Sequence, residues 1–287
     1  MMDLEVKGHS GCSIDIRREG DSLYVYKSTS DPSYLKRLLL QGQKQREAAQ
    51  LKLQHIRVPK VLDIVEEADS VTIKMEYIYS KSFVRYFEYA GFEQISYFIQ
   101  ALCLYLDYEI QHSPIQTVKA SVLSEKFDDV RNKVGKNAFL NDDAEIEQIL
   151  SESSKLFTRQ EDMLLPVGVC HGDLTFSNIL FNGNNYYLID YLDSFVESPL
   201  LDIVKIRQDS AYLWSQLMYL GENDSLRLQI VADKIDQDIR KYASQFDWFK
   251  YYPIFQIMNF LRILQYAKDG KVMDYLKRIL NQLLHEF

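Results

Sequence analysis

Sulfur is scarce in this chain. Three cysteines, Cys12, Cys103 and Cys170, stand far apart among 287 residues. Their odd number and wide spacing exclude a disulfide framework and a zinc pattern, and imply reduced thiols in a cytoplasmic protein. Long apolar runs are missing as well. The strongest, Tyr97 to Leu106, is interrupted by Gln100 and stops at Asp107, too short to cross a bilayer. The first residues, MMDLEVKGHSG, have no cationic start followed by an apolar stretch, so no secretory signal is expected. There is no Gly/Ser linker, no repeat and no low-complexity tract. Positive charge is in the minority, with 33 Lys and Arg against 41 Asp and Glu, for a net charge of −8. That disfavours a broad nucleic-acid surface, which needs clustered cations, but leaves room for a local site for a small phosphate.

Aromatic residues, by contrast, are plentiful. Twenty Tyr and 15 Phe supply enough apolar area to exclude long disorder. A hydrophobic share of 47% with 26% charged residues is that of a globular protein, and the length suits one large domain or two lobes.

The first 80 residues read as β-rich with one helical insert. Ser13–Arg17 and Leu23–Lys27 are short strands around the turn sequence REGD. Asp31-Pro32 reads as a helix start. Helical pattern continues to Leu53, with a break at Gly42, and Pro59 ends it. Val61–Glu66 and Val71–Tyr77 follow as strands. Beyond residue 80 the period becomes helical: Phe92–His112, Val122–Val134 and Ala144–Phe157. Pro166–Cys170, Ile179–Phe181 and Tyr186–Ile189 are short strands, the last two joined by the tight turn NGNN. From Leu200 onward the chain is helical. The fold class is therefore α+β, with the composition changing near residue 80.

The informative stretch is VCHGDLTFSNILFNGNNYYLID, Val169 to Asp190. It places Asp173, Asn178 and Asp190 in two loops flanked by strands. A carboxylate, an amide oxygen and a second carboxylate are hard oxygen donors of the kind Mg²⁺ takes alongside nucleotide phosphates and water. The strand pair between Asn178 and Asp190 returns both side chains to one edge, leaving Asp173 to face an incoming hydroxyl. Asp173 and Asn178 are five positions apart, the spacing of the protein-kinase catalytic loop.

His171-Gly172-Asp173-Leu174 through Asn178, followed by Ile189-Asp190, resembles the aminoglycoside phosphotransferase and choline kinase family of small-molecule kinases, which share the protein-kinase fold. The resemblance implies a bilobal molecule, with a nucleotide-binding lobe over residues 1–79 and a catalytic and substrate-binding helical lobe over residues 80–287. It implies ATP and Mg²⁺ as cofactors, Asp173 as catalytic base, and Asn178 and Asp190 as metal ligands. In such a lobe a strand lysine holds the α- and β-phosphates and a helix glutamate orients it; Lys27 and Glu47 fit that order. The loop around Ser10 and Gly11 would bring backbone amides to phosphate, although a full GxGxxG is absent. Glu76 and Ile78 fall at the hinge, where backbone groups meet adenine. Asp202 would brace the catalytic loop. Asp190 and Asp202 are only twelve positions apart and no APE motif follows, which argues against a protein substrate. The triplet HGD looks more like the aminoglycoside, fructosamine and methylthioribose branches than the HND of choline kinases, favouring a sugar, amino-sugar or amino-alcohol hydroxyl as acceptor. No nucleic-acid or membrane partner is expected, and the sequence is silent on oligomeric state.

Each residue also has an ordinary reading. Asp and Asn favour turns, helix faces carry many solvated glutamates, and Lys27 alone is a strand-end lysine. His171 reads as structural, and Cys170 as a buried thiol. Asp193 is either a metal or substrate contact or a turn acid. Trp214 and Trp248 with their aromatic neighbours are either core or a wall for a cationic substrate. The alternative to catalysis is a nucleotide-binding pseudokinase or regulatory module on the same fold; its usual sign, a missing base or metal ligand, is not seen in this sequence.

Overall fold

The structure, a computed structural model, describes residues 12–287. The chain opens with a hairpin of β1 (Ser13–Glu19) and β2 (Ser22–Thr29). Glu19 pairs with Ser22 across a turn in which Gly20 takes a positive φ of 60°, a conformation glycine adopts without steric cost. Next come α1 (Leu35–Ala48), the two-residue strand β3 (Ile56–Arg57), β4 (Val61–Glu66) and β5 (Val71–Glu76). The order β1-β2-β5-β4 forms an antiparallel sheet. Alternation along β2 puts Lys27 and Thr29 on its buried face.

Helix α1 begins later than the sequence suggests. Asp31 caps a local turn instead, its carboxylate accepting from the Ser33 N–H and hydroxyl, the competing use of Asp that keeps it at turns. Gly42 does not break the helix. A Cβ there would stand 2.8 Å from Ile73 Cδ1, so the missing side chain lets α1 lie close on the sheet. Leu38, Gly42 and Gln45 form that inward stripe, and Leu38 joins Cys12, Val71 and Ile73 in a small core of its own.

The remainder shares one large core. It is built from α2 (Phe83–Tyr89), α3 (Phe92–Gln111), β6 (Ile115–Val118), α4 (Ser121–Val134), α5 (Ala144–Thr158), β7 (Met163–Pro166), β8 (Ile179–Asn182), β9 (Asn185–Leu188), α6 (Pro199–Ser210), α7 (Trp214–Leu217), α8 (Ser225–Ala243), α9 (Tyr252–Leu264) and α10 (Gly270–Glu286). Strands β6 and β7 pair with each other, so the expected strand over Pro166–Cys170 lies earlier, and residues 167–170 run as irregular chain. Helix α2 and strand β6 are not evident in the periodicity; each is too short to show one.

Two features tie the parts together. After α1 the chain docks on the larger core, where β3 runs parallel to β9. Much of the aromatic content surrounds the β8–β9 hairpin. Tyr86 stacks on Phe181 at 4.4 Å between centroids, and Phe98 meets Phe181 and Tyr186 edge-on or tilted at 5.1 and 5.0 Å. Such pairs add about 0.5–1.5 kcal/mol each beyond area burial. They hold the hairpin, and with it both of its flanking loops, in a fixed place. Among the described residues no helix is long and apolar enough to cross a membrane.

Candidate active site

The loop between β7 and β8 is fixed by buried carboxylates beneath it. Asp202, in the first turn of α6, is fully buried and accepts from the backbone N–H groups of His171 and Gly172. Glu109, from the last turn of α3, accepts from the same His171 N–H at 3.0 Å. Burial pushes the Glu109 carboxyl well up, and the neighbouring Asp202 charge adds to that. Asp209, further along α6, accepts from the Phe176 N–H and from Ser215. The three acids act as rigid acceptors for loop amides that have no strand partner.

His171 is fully buried; its Nδ1 accepts from the Asp173 N–H at 3.2 Å, and its ring lies 4.2 Å from Tyr191. Burial lowers its pKa, so the ring is neutral and structural. Cys170 is likewise buried, its thiol pushed well above the ordinary range by burial.

Gly172 has φ +87°, and a Cβ there would come within 2.1 Å of the Leu192 carbonyl oxygen. Only glycine fits, because the following segment returns over it, with the Leu192 N–H bonded to the His171 carbonyl at 2.9 Å. Gly172→Ala should therefore cost more than about 2 kcal/mol, from the positive φ and the clash together. Urea unfolding of the two proteins measures this, and a change below about 0.5 kcal/mol would show that the loop can shift at little cost.

The turn fixed in this way presents Asp173. One of its oxygens accepts from Asn178 Nδ2 at 2.9 Å, and the other lies 3.0 Å from the Lys205 ammonium. Burial alone would raise the Asp173 pKa; Lys205, with Arg262 adding, reverses that and holds it below the ordinary aspartate value. Asn178 ends a short 3₁₀ turn and makes both of its side-chain bonds through Nδ2, to Asp173 O and Oδ2. Its Oδ1 is the atom it can offer a cation. The β8–β9 hairpin returns the chain so that the Ile189 N–H meets the Asn178 carbonyl at 3.0 Å. Asp190 follows with a positive φ of 62°, and its Oδ1 is 2.8 Å from Lys27 Nζ. Lys27 is only 4% exposed, and burial, which would lower its pKa, is outweighed by Asp190.

Glu47 does not orient Lys27. It is exposed on α1, about a quarter of a turn around the helix from the stripe that faces the site. That stripe is Arg37, Gln41 and Lys44. Gln41 Oε1 accepts from Lys27 at 3.3 Å, while Lys44 bonds Glu197 and the Leu192 carbonyl, each at 2.6 Å. The residue that meets the strand lysine from this helix is an amide, and its carboxylate partner is Asp190. Ser10 and Gly11 lie outside the described residues. The Glu76 N–H is engaged by the Lys60 carbonyl at 2.9 Å, and Ile78 is buried between β5 and α2. Asp193 is exposed. Trp248 stacks on Phe246 at 4.9 Å and Trp214 packs against Tyr275 at 5.8 Å, both as part of the large core. Sequence reasoning missed Lys205, Glu109 and Gln41. Lys205 lies three residues beyond Asp202, nearly one helical turn and thus toward the same side, and this spacing was the only signal available.

Among the described residues no three His, Cys, Asp or Glu side chains gather as a metal cage. One amide oxygen and one carboxylate fit a hard cation that takes its remaining ligands from phosphate and water.

A lysine held over a buried loop, with an aspartate, an asparagine five positions on and an aspartate past a hairpin, defines a phosphotransferase of the kinase type. The model of the phosphotransferase enzyme family (APH) matches residues 18–243, and the chain belongs to that family. Three solved structures illustrate the fold. The amicoumacin kinase hAmiN, with AMP-PNP, Ca²⁺ and Ami, aligns at TM-score 0.62 and 12% identity over 99% of this chain and 88% of its own. APH(2")-IIia with GDP and kanamycin aligns at 0.60 and 13%, over 100% and 93%. A thermostable mutant of aminoglycoside phosphotransferase APH(4)-Ia, with ADP and hygromycin B, aligns at 0.59 and 12%, over 99% and 93%. The fold is thus bilobal and protein-kinase-like. No curated protein sequence matches the chain.

Proposed function

We propose that this protein is an ATP-dependent kinase that moves the γ-phosphoryl group of ATP to a hydroxyl of a small molecule. The observation that carries this reading is the contact of Asp173 with Asn178 on one loop and with Lys205 of α6, one hairpin away from the Lys27–Asp190 pair. Residues 1–79 would hold the nucleotide, with Lys27 on its phosphates and the carbonyl of Glu76 and backbone of Ile78 at the adenine edge. Residues 80–287 would supply the reacting loop and the acceptor site. Asp173 accepts the proton of the acceptor hydroxyl as its oxygen meets phosphorus. Asn178 Oδ1 and the Asp190 carboxylate would hold Mg²⁺, which supplies charge neutralisation at the phosphates. Lys27 exchanges its contact with Asp190 for phosphate oxygens. Most of the rate comes from positioning and preorganised charge.

The sequence-level range of acceptors covers sugars, amino sugars and amino alcohols; the charges near Asp173, treated below, narrow it. We place the protein in the cytoplasm, where ATP is available. The experiment is incubation with Mg²⁺ and ATP across a panel of neutral, cationic and anionic alcohols, following ADP and product mass. A product heavier by one phosphoryl group supports the reading. Nucleotide binding without ADP formation from any acceptor would support a regulatory module instead.

A further inference from the structure

The geometry points to an acceptor that carries an anionic group, a carboxylate or a phosphate, beside the hydroxyl presented to Asp173, with Arg37 and Arg262 as its ligands. This rests on the kinase reading above. Arg37 and Arg262 come from opposite sides of the cleft. Arg37 lies on the α1 stripe whose next members, Gln41 and Lys44, touch Lys27 and the Glu197–Leu192 segment, so it faces the same space one turn earlier. Its guanidinium lies 5.4 Å from the Tyr34 ring. Arg262, near the end of α9, lies 5.3 Å from the Phe195 ring, and Phe195 in turn stacks on Phe255 at 6.0 Å. Among the described residues neither guanidinium has a carboxylate or a hydrogen-bond partner, although both are half-buried.

The two arginines also sense each other. Burial pushes the Arg262 guanidinium down, the Asp173 charge pulls it up, and the like charge of Arg37 pushes it down again. Tyr266 and Asp129 act on it more weakly, and Asp129 is already engaged by Lys126 and Lys133 at 2.7 and 2.9 Å. Lys205 adds a third cation, its side chain only 13% exposed, at Asp173 itself. Lys205 and Arg262 thus both act on the Asp173 carboxylate, and Arg37 acts on Arg262. A planar guanidinium with five unengaged donors matches a carboxylate or phosphate in bidentate fashion, and an anion between Arg37 and Arg262 removes their repulsion. A polycationic acceptor would add to it.

The test uses the full chain saturated with Mg²⁺ and AMP-PNP, so that the probes do not compete for the phosphate site. Calorimetry compares D-glycerate and glycerol 3-phosphate with glycerol and with kanamycin, a polyamine. One or both anions should bind at least about tenfold more tightly than the other two, and their order distinguishes a carboxylate from a phosphate preference. Arg262→Gln and, separately, Arg37→Gln should each weaken the preferred anion about tenfold while AMP-PNP binding stays within about twofold. Arg37 lies on a half-buried helix face, so that variant keeps the test valid if Arg262→Gln misfolds. Glycerol or kanamycin binding as well as the anions, no binding of either anion, or unchanged anion affinity in both variants would overturn the assignment. Phosphorylation of kanamycin once ATP replaces AMP-PNP would overturn it and leave the kinase reading standing, whereas anion binding by a protein that binds no nucleotide would overturn both.

Discussion

Asp173→Asn should lower kcat by about 10²- to 10⁴-fold, the span of a positioned general base, while nucleotide affinity changes by less than about twofold. The substitution keeps the shape and an acceptor oxygen. That oxygen can serve the Lys205 ammonium, now 3.0 Å from the carboxylate; Asn178 Nδ2 loses Oδ2 as acceptor but keeps the Asp173 carbonyl at 2.9 Å, and the loop stays in place. What disappears is the ability to take the proton. Pre-steady-state ADP formation with the preferred acceptor, together with fluorescence titration of a nucleotide analogue, separates the two effects; a variant with wild-type turnover would remove Asp173 as base.

The same residue makes a pH prediction whose sign follows from its surroundings. Burial would raise the Asp173 pKa, but Lys205 more than offsets it and the net shift is downward. The carboxylate is thus ionised at and above the ordinary aspartate value of 3.8, and Asp173 causes no fall in kcat/KM on going from neutral to mildly acidic pH. In Lys205→Gln the burial remains and the main counter-charge is gone. The acidic limb of kcat/KM should then move to higher pH; an unmoved limb would show that Lys205 does not set the ionisation of Asp173.

The second large effect is expected at Asp202, which touches no reactant. Asp202→Ala leaves the N–H groups of His171 and Gly172 without their main acceptor in a fully buried place. Each orphaned donor costs about 1–3 kcal/mol. Glu109 still reaches the His171 N–H, so the total should fall at about 2–4 kcal/mol rather than at the sum of two full penalties. Chemical denaturation measures this loss. Activity should fall with it because Asp173 is positioned by that turn. Full stability and full activity in the variant would show that the loop holds itself.

The site was legible where function forces residue type and spacing together. Asp173, Asn178 and Asp190 could be picked out because two carboxylates and an amide at those separations along the chain are rare by accident, and the structure brings Asp173 and Asn178 into contact at 2.9 Å. Asp202 as a brace followed from the order of elements, and the structure shows the two amides it accepts. Glu47 misled because a helix offers several polar residues within a few positions, and a linear spacing does not say which way each one faces. Gln41, six residues earlier, lies on the side that meets Lys27, and Glu47 points to water. Lys205 and Glu109 were invisible for a related reason. Their partners are Asp173 and Asp202, 32 and 93 positions away in a sequence that gives no distances. Element boundaries failed where local chemistry competes with helix formation, as at Asp31, or where packing requires a glycine inside a helix, as at Gly42. The aromatic wealth, ambiguous in the sequence, is largely core: much of it surrounds the hairpin that carries Asn178 and Asp190.

The central claim is phosphoryl transfer from ATP to an alcohol with Asp173 as base. The most direct measurement is ³¹P NMR of the full chain with Mg²⁺, ATP and the alcohol panel, run beside Asp173→Asn. ADP and a new phosphomonoester resonance should grow together in the wild-type sample and neither in the variant. AMP and pyrophosphate, a phosphomonoester that persists in the variant, or unchanged ATP with every alcohol would contradict it.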